Sequence, residues 1–287
     1  MTRLFAHRGS SRRYPENTRA SYLQAIADGA DGIECDIHLT ADHQLVCHHD
    51  AVLGRTERAK GEIRSMTLAQ LRRIDMVSWK RGRWPFLRTR IPGKFGRVDQ
   101  QLCTLAELVE IAANAGRPIE LAIETKHQLG HDPRLEAAMT NQLEALGFDR
   151  ATLSSGNVTV SFMSFEPAAV QHLSAEWGPE RVCQLLENKR RGWEGDVLRG
   201  LGTTEDTRYA QQFTGGVANI EDGTAGIVGP GIKFVRAHEA EFLRWLETHT
   251  ARIWTVDKPA DAAYLEGLGV QEMTSNVPAE IRESLGR

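Results

Sequence analysis

The sequence predicts an α/β fold, and a closed (β/α)8 TIM barrel fits it best. Short apolar strands alternate with amphipathic helices almost throughout the 287 residues, which is the pattern of a parallel sheet. About eight such units fit this length, as in single-domain barrels of similar size. Polar residues also cluster late in the predicted strands, where a barrel carries its catalytic groups. The count of units alone leaves an open parallel sheet as the alternative.

The predicted elements follow in chain order. Apolar runs bounded by turn residues predict strands at 4–8, 32–39, 45–49, 119–126, 158–163, 182–186, 217–220 and 252–256. Amphipathic segments predict helices at 18–27, 104–114, 133–146, from near 166, and at 239–248 and 260–268. Thr104 can cap its helix, with Glu107 at the capping-box position. Segments 270–275 and 278–285 close the chain, which we expect to form one domain over 1–287.

Two stretches interrupt this alternation. Segment 72–97 carries nine Lys or Arg, one acid, and the aromatic residues Trp79, Trp84 and Phe86. It belongs to an excursion at about 57–101, a small insertion after the second barrel strand. The excursion either covers the barrel mouth and attracts anionic substrates or is a solvated loop held by its aromatics. Segment 222–231, with four glycines and a proline, is either a lid or a simple connection.

Composition describes an ordinary globular protein with 41% hydrophobic and 25% charged residues and a net charge of −3. This balance gives no reason to expect a nucleic-acid partner. No apolar run reaches the ~20 residues of a membrane span, and no signal peptide precedes the first strand. We therefore expect a cytoplasmic protein without stable membrane insertion. The four cysteines (Cys35, Cys47, Cys103 and Cys183) are expected to be buried thiols, with a disulfide as the weaker alternative.

The most informative feature is a pair of acidic residues one apart in a predicted strand. Side chains alternate along a strand, so Glu34 and Asp36 point to one face. Two like charges on one face are costly unless a cation lies between them or one is protonated. Such a pair of oxygen ligands indicates a Mg²⁺ or Ca²⁺ site.

A second strand supplies matching groups. Glu124 and Lys126 share one face of the predicted strand 119–126. Glu124 would complete a shell of three carboxylates, and Lys126 would neutralise a phosphate oxygen or a neighbouring carboxylate. Taken alone, this segment is more typical of a solvent-exposed ion pair. The pair formed by Glu34 and Asp36 shifts the interpretation towards a site.

Histidine and arginine complete the candidate site. His7 and Arg8 end the first predicted strand, before a glycine that permits a tight turn. The guanidinium of Arg8 suits phosphate, and imidazole titrates near neutrality, so His7 is a candidate general acid or base. His49 and His48 point to opposite faces, so only one can serve the site; Asp50 could orient His49.

Taken together, these residues resemble the glycerophosphodiester phosphodiesterase family. The matching motifs extend in order over nearly the whole chain: Ala-His-Arg-Gly (6–9), Pro-Glu-Asn-Thr (15–18), Gly-Ala-Asp-Gly-Ile-Glu-Cys-Asp (29–36), Leu-Thr-Ala-Asp (39–42), His-Asp (49–50), Arg-Thr (55–56), Ile-Glu-Thr-Lys (123–126), Ser-Phe-Glu (164–166), Trp-Thr-Val (254–256) and Thr-Ser-Asn-Val-Pro (274–278). No single motif is specific, but their combination is.

The resemblance implies a TIM barrel of the phospholipase-C-like type. It implies hydrolysis of a glycerophosphodiester to an alcohol and glycerol 3-phosphate with a divalent cation, Mg²⁺ or Ca²⁺. It also implies three sets of site residues: metal ligands Glu34, Asp36 and Glu124; acid and base His7 and His49; substrate-binding residues Arg8, Lys126 and Trp254.

Three residues depart from the usual family pattern. Glu166 and Asp257 stand where aspartate and asparagine are common, and His43 replaces a turn glycine. None is a proposed metal ligand or catalytic histidine. Two other functions remain open: a lysophospholipase D or sphingomyelinase-D-like enzyme on the same barrel, and a non-catalytic barrel that binds a phosphorylated ligand. The paired acid and base argue against the second.

Overall fold

The structure, a computed structural model, describes residues 1–57, 59–81, 96–127, 130–187 and 205–287. The strands are β1 (Arg3–His7), β2 (Gly32–Leu39), β3 (Leu45–Cys47), β4 (Val52–Leu53), β5 (Gly61–Glu62), β6 (Ile119–Thr125), β7 (Ser154–Ser155), β8 (Val158–Ser164), β9 (Val182–Leu186), β10 (Ile227–Pro230), β11 (Thr250–Ile253) and β12 (Glu272–Ser275). The helices are α1 (Arg19–Ala27), α2 (Leu68–Leu71), α3 (Ser78–Arg81), α4 (Leu105–Ala113), α5 (Pro133–Ala145), α6 (Pro167–Trp177), α7 (Glu205–Glu221), α8 (Ile232–Ala237), α9 (Glu239–Leu246), α10 (Pro259–Gly267) and α11 (Pro278–Ser284).

Eight parallel strands close into a barrel. Their order is β1-β12-β11-β10-β9-β8-β6-β2, and β2 pairs again with β1. The predicted (β/α)8 barrel is therefore confirmed, and the open sheet is excluded. Because all eight strands run in one direction, their carboxyl ends meet at one edge, which brings residues from distant parts of the chain together.

The barrel strands are buried on both faces, which explains their continuous apolar runs. In β6 every residue is buried. Outward side chains such as Ile33, Cys35 and Leu121 pack against the surrounding helices in the largest core cluster. The predicted cap of α4 is present, since Thr104 and Glu107 form a reciprocal capping box. All four cysteines are buried free thiols, as expected.

The amino-terminal end of the barrel is filled by a buried ion network. Arg252 is fully buried and donates to Glu120 at 2.9 Å and to Glu272 at 2.6 Å. Arg3 bonds the same two carboxylates from the more exposed side. These charges lie at the end of the barrel opposite to the carboxyl ends of the strands.

Two predictions in the second half of the chain are wrong. The predicted strand 217–220 belongs to α7, where Val217 and Ile220, three residues apart, share the helix face that packs on the core. Segment 222–231, predicted as a lid or connection, contains β10 instead. Its Gly229 is required by close packing, because a Cβ there would lie 2.6 Å from the sulfur of Cys183.

The insertion after β2 is confirmed as a small layer on the barrel. β3 pairs antiparallel with β2, and β4 pairs with β5. A separate apolar cluster holds this layer together: Val46, Leu53, Ile63, Leu71, Met76 and Leu102. Trp79 donates its indole N–H to the Met76 carbonyl, whereas Trp84 and Phe86 lie outside the described residues. None of the described helices combines the length and apolar character that a membrane crossing requires.

Candidate active site

Strand register brings the predicted acidic residues together. His7 pairs with Glu34 across β1 and β2, and Asp36 pairs with Glu124 across β2 and β6. One carboxylate oxygen from each of Glu34, Asp36 and Glu124 lies within 4.8 Å of the other two. Lys126 follows β6 directly, so alternation along the strand places it on the same side as Glu124.

The three carboxylates fit a divalent cation. Their residues are only 1%, 0% and 7% exposed. Among the described residues, Glu34 Oε1 and Asp36 Oδ1 have no hydrogen-bond partner, although Asp36 Oδ1 lies 3.3 Å from the charged Lys126 Nζ. Buried carboxylate oxygens without a partner are rare, because removing them from water is costly. Several such oxygens around one point are the donor set that Mg²⁺ and Ca²⁺ prefer. The residues present therefore fit the implied metal.

Two cations border the carboxylate trio. Arg8 Nε lies 3.1 Å from Asp36 Oδ2, and Lys126 Nζ lies 2.7 Å from Glu124 and 3.3 Å from Asp36. Burial alone would raise the pKa of Asp36, but Arg8 and Lys126 outweigh it and hold that pKa well below its usual range. Asp36 is therefore the most strongly ionised member of the trio.

The pKa values of Glu34 and Glu124 shift in the opposite direction, upwards. Burial and the neighbouring charge of Asp36 raise the pKa of Glu34 well above its usual range. Burial also raises the pKa of Glu124 to about 7, although Lys126 beside it acts in the other direction. Without a cation, the trio therefore holds protons near neutral pH, as close like charges do.

His7 lies at the edge of the trio. Its Nδ1 lies 2.8 Å from Asn276 Oδ1, and its Nε2 lies 3.9 Å from Glu34 Oε2. Burial, together with the charge of Arg8, lowers the pKa of His7 to about 4. In the free site His7 is therefore neutral at physiological pH.

His49, rather than His48, faces the charged groups. His49 Nδ1 bonds Asp50 at 2.6 Å, and burial with the charges of Lys126 and Arg8 lowers the pKa of His49 to about 4. His48 instead bonds Glu57 at 2.9 Å and the Asp50 carbonyl at 2.7 Å, inside the insertion. The bond to Asp50 occupies Nδ1, and no hydrogen bond of the described residues reaches Nε2 of His49.

Trp254 forms an aromatic side of this end of the barrel. Its ring meets Phe165 edge to face at 5.4 Å between centroids, and its indole N–H donates to the Gly229 carbonyl at 2.7 Å. Lys126 Nζ lies 6.0 Å from the Phe165 ring centre. Trp254 and Phe165 thus lie on the side of the site that carries Lys126.

Sequence reasoning assigned no role to Asn17, which orients a carboxylate of the trio. Its Nδ2 donates to Asp36 Oδ2 at 2.8 Å, and its Oδ1 accepts from Tyr22 Oη at 2.7 Å. Because the buried Tyr22 hydroxyl donates to Asn17 Oδ1, the NH₂ group of Asn17 faces Asp36. Asn17 has φ 55°, a left-handed conformation that asparagine tolerates better than most residues. Local sequence carries no signal for this contact with β2.

A second ionic chain links the two sides of the site. Glu16 accepts from Arg8 at 3.0 Å and from Arg55, and Arg55 in turn bonds Asp50, the partner of His49. Glu16 of the 15–18 motif thus supports Arg8 directly and supports His49 through Arg55 and Asp50.

A second group of close ligand atoms among the described residues comprises His127, His131 and Glu136. The backbone N–H of Asp132 donates to His127 Nδ1 at 3.2 Å. That contact places the proton of a neutral ring on Nε2, from which it is donated to Glu136 at 2.7 Å. His127 and Glu136 thus form a hydrogen-bonded pair of buried side chains.

Comparison with known proteins agrees with this geometry. The sequence model of the Glycerophosphoryl diester phosphodiesterase family matches residues 7–280. A Mycobacterium tuberculosis protein named "Probable glycerophosphodiester phosphodiesterase 1" is 32% identical over 284 residues, which is 97% of this chain and 90% of that protein. A Bacillus altitudinis glycerophosphodiester phosphodiesterase is 47% identical over 212 residues, 72% of this chain and 80% of its own.

Solved structures share the fold. An Oleispira antarctica phosphodiesterase, determined with the product sn-glycerol-3-phosphate, matches with a TM-score of 0.71 at 21% identity, over 100% of this chain and 98% of that one. A Thermotoga maritima glycerophosphodiester phosphodiesterase matches with a TM-score of 0.66 at 18% identity, over 99% and 98% of the two chains. From the match over residues 7–280 and the relatives of similar length, we conclude that the chain is an enzyme of the glycerophosphoryl diester phosphodiesterase family.

Proposed function

We propose that this enzyme hydrolyses glycerophosphodiesters such as glycerophosphocholine or glycerophosphoethanolamine to an alcohol and sn-glycerol 3-phosphate, and that it requires Mg²⁺ or Ca²⁺. One observation supports this most strongly. Three buried carboxylates converge beside two cations, and two of their oxygens, Glu34 Oε1 and Asp36 Oδ1, accept no hydrogen bond from the described residues. The Oleispira antarctica structure holds sn-glycerol-3-phosphate as product, and we extend that product class to this chain.

Glu34, Asp36 and Glu124 would hold the cation, which supplies positive charge for the phosphoryl oxygens when bound. Arg8 and Lys126 then bind the phosphate oxygens, since both side chains border the trio. Arg8 offers a planar fork and Lys126 a point charge. Trp254 and Phe165 border the bound glycerol or leaving group.

The two histidines divide the proton transfers. His7 Nε2 takes the proton of the attacking hydroxyl, which belongs either to water or to the glycerol itself. His49 donates a proton to the departing alcohol oxygen, because the Asp50 carboxylate at 2.6 Å stabilises its imidazolium form. His7 meets only a neutral amide at Nδ1, which suits it to remain the neutral base. The charge of the bound phosphate favours protonation of His49.

The experiment is release of glycerol 3-phosphate from glycerophosphocholine, with Mg²⁺, with Ca²⁺ and after chelation. We expect activity with cation, none after removal, and loss in Asp36→Asn. Asp42→Asn, the same change at an exposed turn, is the matched control. Full activity in chelated protein, or a phosphate left on the head group instead of on glycerol, would contradict the proposal.

A substrate panel separates this function from the lipid alternatives. We propose that residues 1–287 act as one domain with a basic and aromatic excursion at about 57–101, of which residues 82–95 lie outside the described part of the chain. Trp79, one of its aromatic residues, already donates its indole N–H to a backbone carbonyl within the excursion. We therefore expect soluble diesters to be preferred over lysophospholipids, with turnover of each measured at equal concentration.

A further inference from the structure

Asp257 follows β11 and is held by two bonds from one residue after β12. Its Oδ1 accepts from the backbone N–H of Asn276 at 2.8 Å, and its Oδ2 accepts from Asn276 Nδ2 at 2.7 Å. The Ser275 hydroxyl also donates to Oδ1, at 3.3 Å. An ionised carboxylate only accepts hydrogen bonds. The amide of Asn276 must therefore turn its NH₂ towards Asp257.

The fixed amide then determines what His7 can do. Asn276 Oδ1 faces His7 Nδ1 at 2.8 Å and accepts a further bond from the Ser11 hydroxyl at 2.6 Å. A carbonyl oxygen only accepts, so Nδ1 must carry the ring proton. In a neutral imidazole the lone pair is then on Nε2, the nitrogen that lies beside the carboxylate trio.

We propose that Asp257 is a positioning residue for the reaction: by orienting the Asn276 amide, it selects the His7 tautomer whose Nε2 can accept a proton. Asp257 itself contacts neither the trio nor the proposed phosphate-binding residues through any hydrogen bond of the described residues. This inference rests on the proposed role of His7 as base. It assigns a role to a residue that departs from the asparagine common in the resembled family.

The isosteric variant Asp257→Asn isolates this effect. The backbone N–H of Asn276 still needs an acceptor, so the new amide keeps its oxygen there and turns its NH₂ towards the side chain of Asn276. Two NH₂ groups cannot bond each other, and Asn276 relieves this by reversing its amide. Its NH₂ then donates to His7 Nδ1 and drives the ring proton to Nε2. His7 can no longer accept a proton at that atom.

The tautomer can be read without any activity assay. Long-range ¹H–¹⁵N correlation spectra of ¹⁵N-histidine-labelled protein, recorded near pH 7.5, distinguish protonated Nδ1 from protonated Nε2, and His7→Gln assigns the signal. We expect wild-type His7 to carry its proton on Nδ1 and the Asp257→Asn variant to carry it on Nε2. A wild-type His7 protonated on Nε2 would overturn the inference directly. This readout stands even if the proposed substrate proves wrong.

Kinetics provide the second readout, with a rescue. A His7 that cannot accept a proton at Nε2 loses the contribution of a general base, typically about 10²–10⁴-fold, and we expect that loss in kcat rather than in KM. The double variant Asp257→Asn, Asn276→Asp exchanges amide and carboxylate. The new carboxylate accepts from both His7 Nδ1 and the new amide, so the Nδ1–H tautomer and most of kcat should return.

Asp261→Asn, the same change at a surface carboxylate paired with Arg236, is the matched control and should leave kcat unchanged. If Asp257→Asn lowers kcat while His7 keeps its proton on Nδ1, Asp257 has only a structural role. If the tautomer and kcat both stay as in the wild type, or the double variant is no better than the single one, the positioning role is wrong.

Discussion

Replacing Glu124 with glutamine should weaken the pH dependence of cation binding. Burial raises the pKa of Glu124 to about 7, and a cation can bind this carboxylate only after its proton leaves. A group with that pKa is about 9% ionised at pH 6 and about 91% ionised at pH 8. Its proton alone therefore makes cation affinity about tenfold higher at pH 8 than at pH 6, or about 1.4 kcal/mol.

Glu124→Gln removes the contribution of the Glu124 proton to this pH dependence and reduces the contribution of the Glu34 proton. Glu34 also has a raised pKa, to which the charge of Glu124 contributes, so its own proton leaves more easily in Glu124→Gln. We expect the ratio of affinities at pH 8 and pH 6 to be at least about tenfold larger in the wild type than in the variant.

Calorimetric titration with Mg²⁺ and with Ca²⁺ at both pH values measures these ratios, and repetition in buffers of different ionisation enthalpy counts the protons released. Glu110→Gln, an exposed change on α4, is the control and should behave as the wild type. An equal ratio in wild type and Glu124→Gln, with equal proton release, would refute the assignment of Glu124 to the cation.

Three further substitutions each test one contact described above. His7→Ala should lower kcat by about 10²–10⁴-fold with an unchanged circular dichroism spectrum; near wild-type turnover would remove its acid–base role. Asn17→Ala takes the amide from Asp36 Oδ2, so cation affinity should fall about 10–100-fold, and unchanged calorimetric affinity would contradict this. Arg252→Ala removes the fully buried one of the two arginines that bond Glu120 and leaves Arg3, so it should lower the free energy of unfolding by up to about 3–5 kcal/mol, measured in urea. Burial alone would raise the pKa of Glu120, but the charge of Arg252 outweighs it and lowers that pKa to about 2. The stabilisation that the ionised Glu120 provides is therefore present above its unfolded pKa of about 4.3 and is lost as the pH falls towards 2. The urea midpoint of the wild type should therefore drop over that range more than that of Arg252→Ala.

Much of the barrel could be predicted because its signals are local. Strand alternation places Glu34 and Asp36 on one face whatever the rest of the chain does. The reciprocal cap formed by Thr104 and Glu107 requires only a spacing of three residues. The predictions failed where a local pattern was ambiguous. Four residues of α7, at 217–220, read equally well as a strand, and β10 is too short and too rich in glycine and proline to be recognised.

The sequence by itself determined the fold class and which side chains share a strand face, because both depend on the spacing of neighbouring residues. Only the tertiary structure decided what each site residue contacts. Asn276 reaches His7 across 269 residues, and Arg252 reaches Glu120 across 132. Those contacts exist because β1 pairs with both β2 and β12 when the barrel closes, and closure is a property of the whole sheet that no local pattern of residues contains.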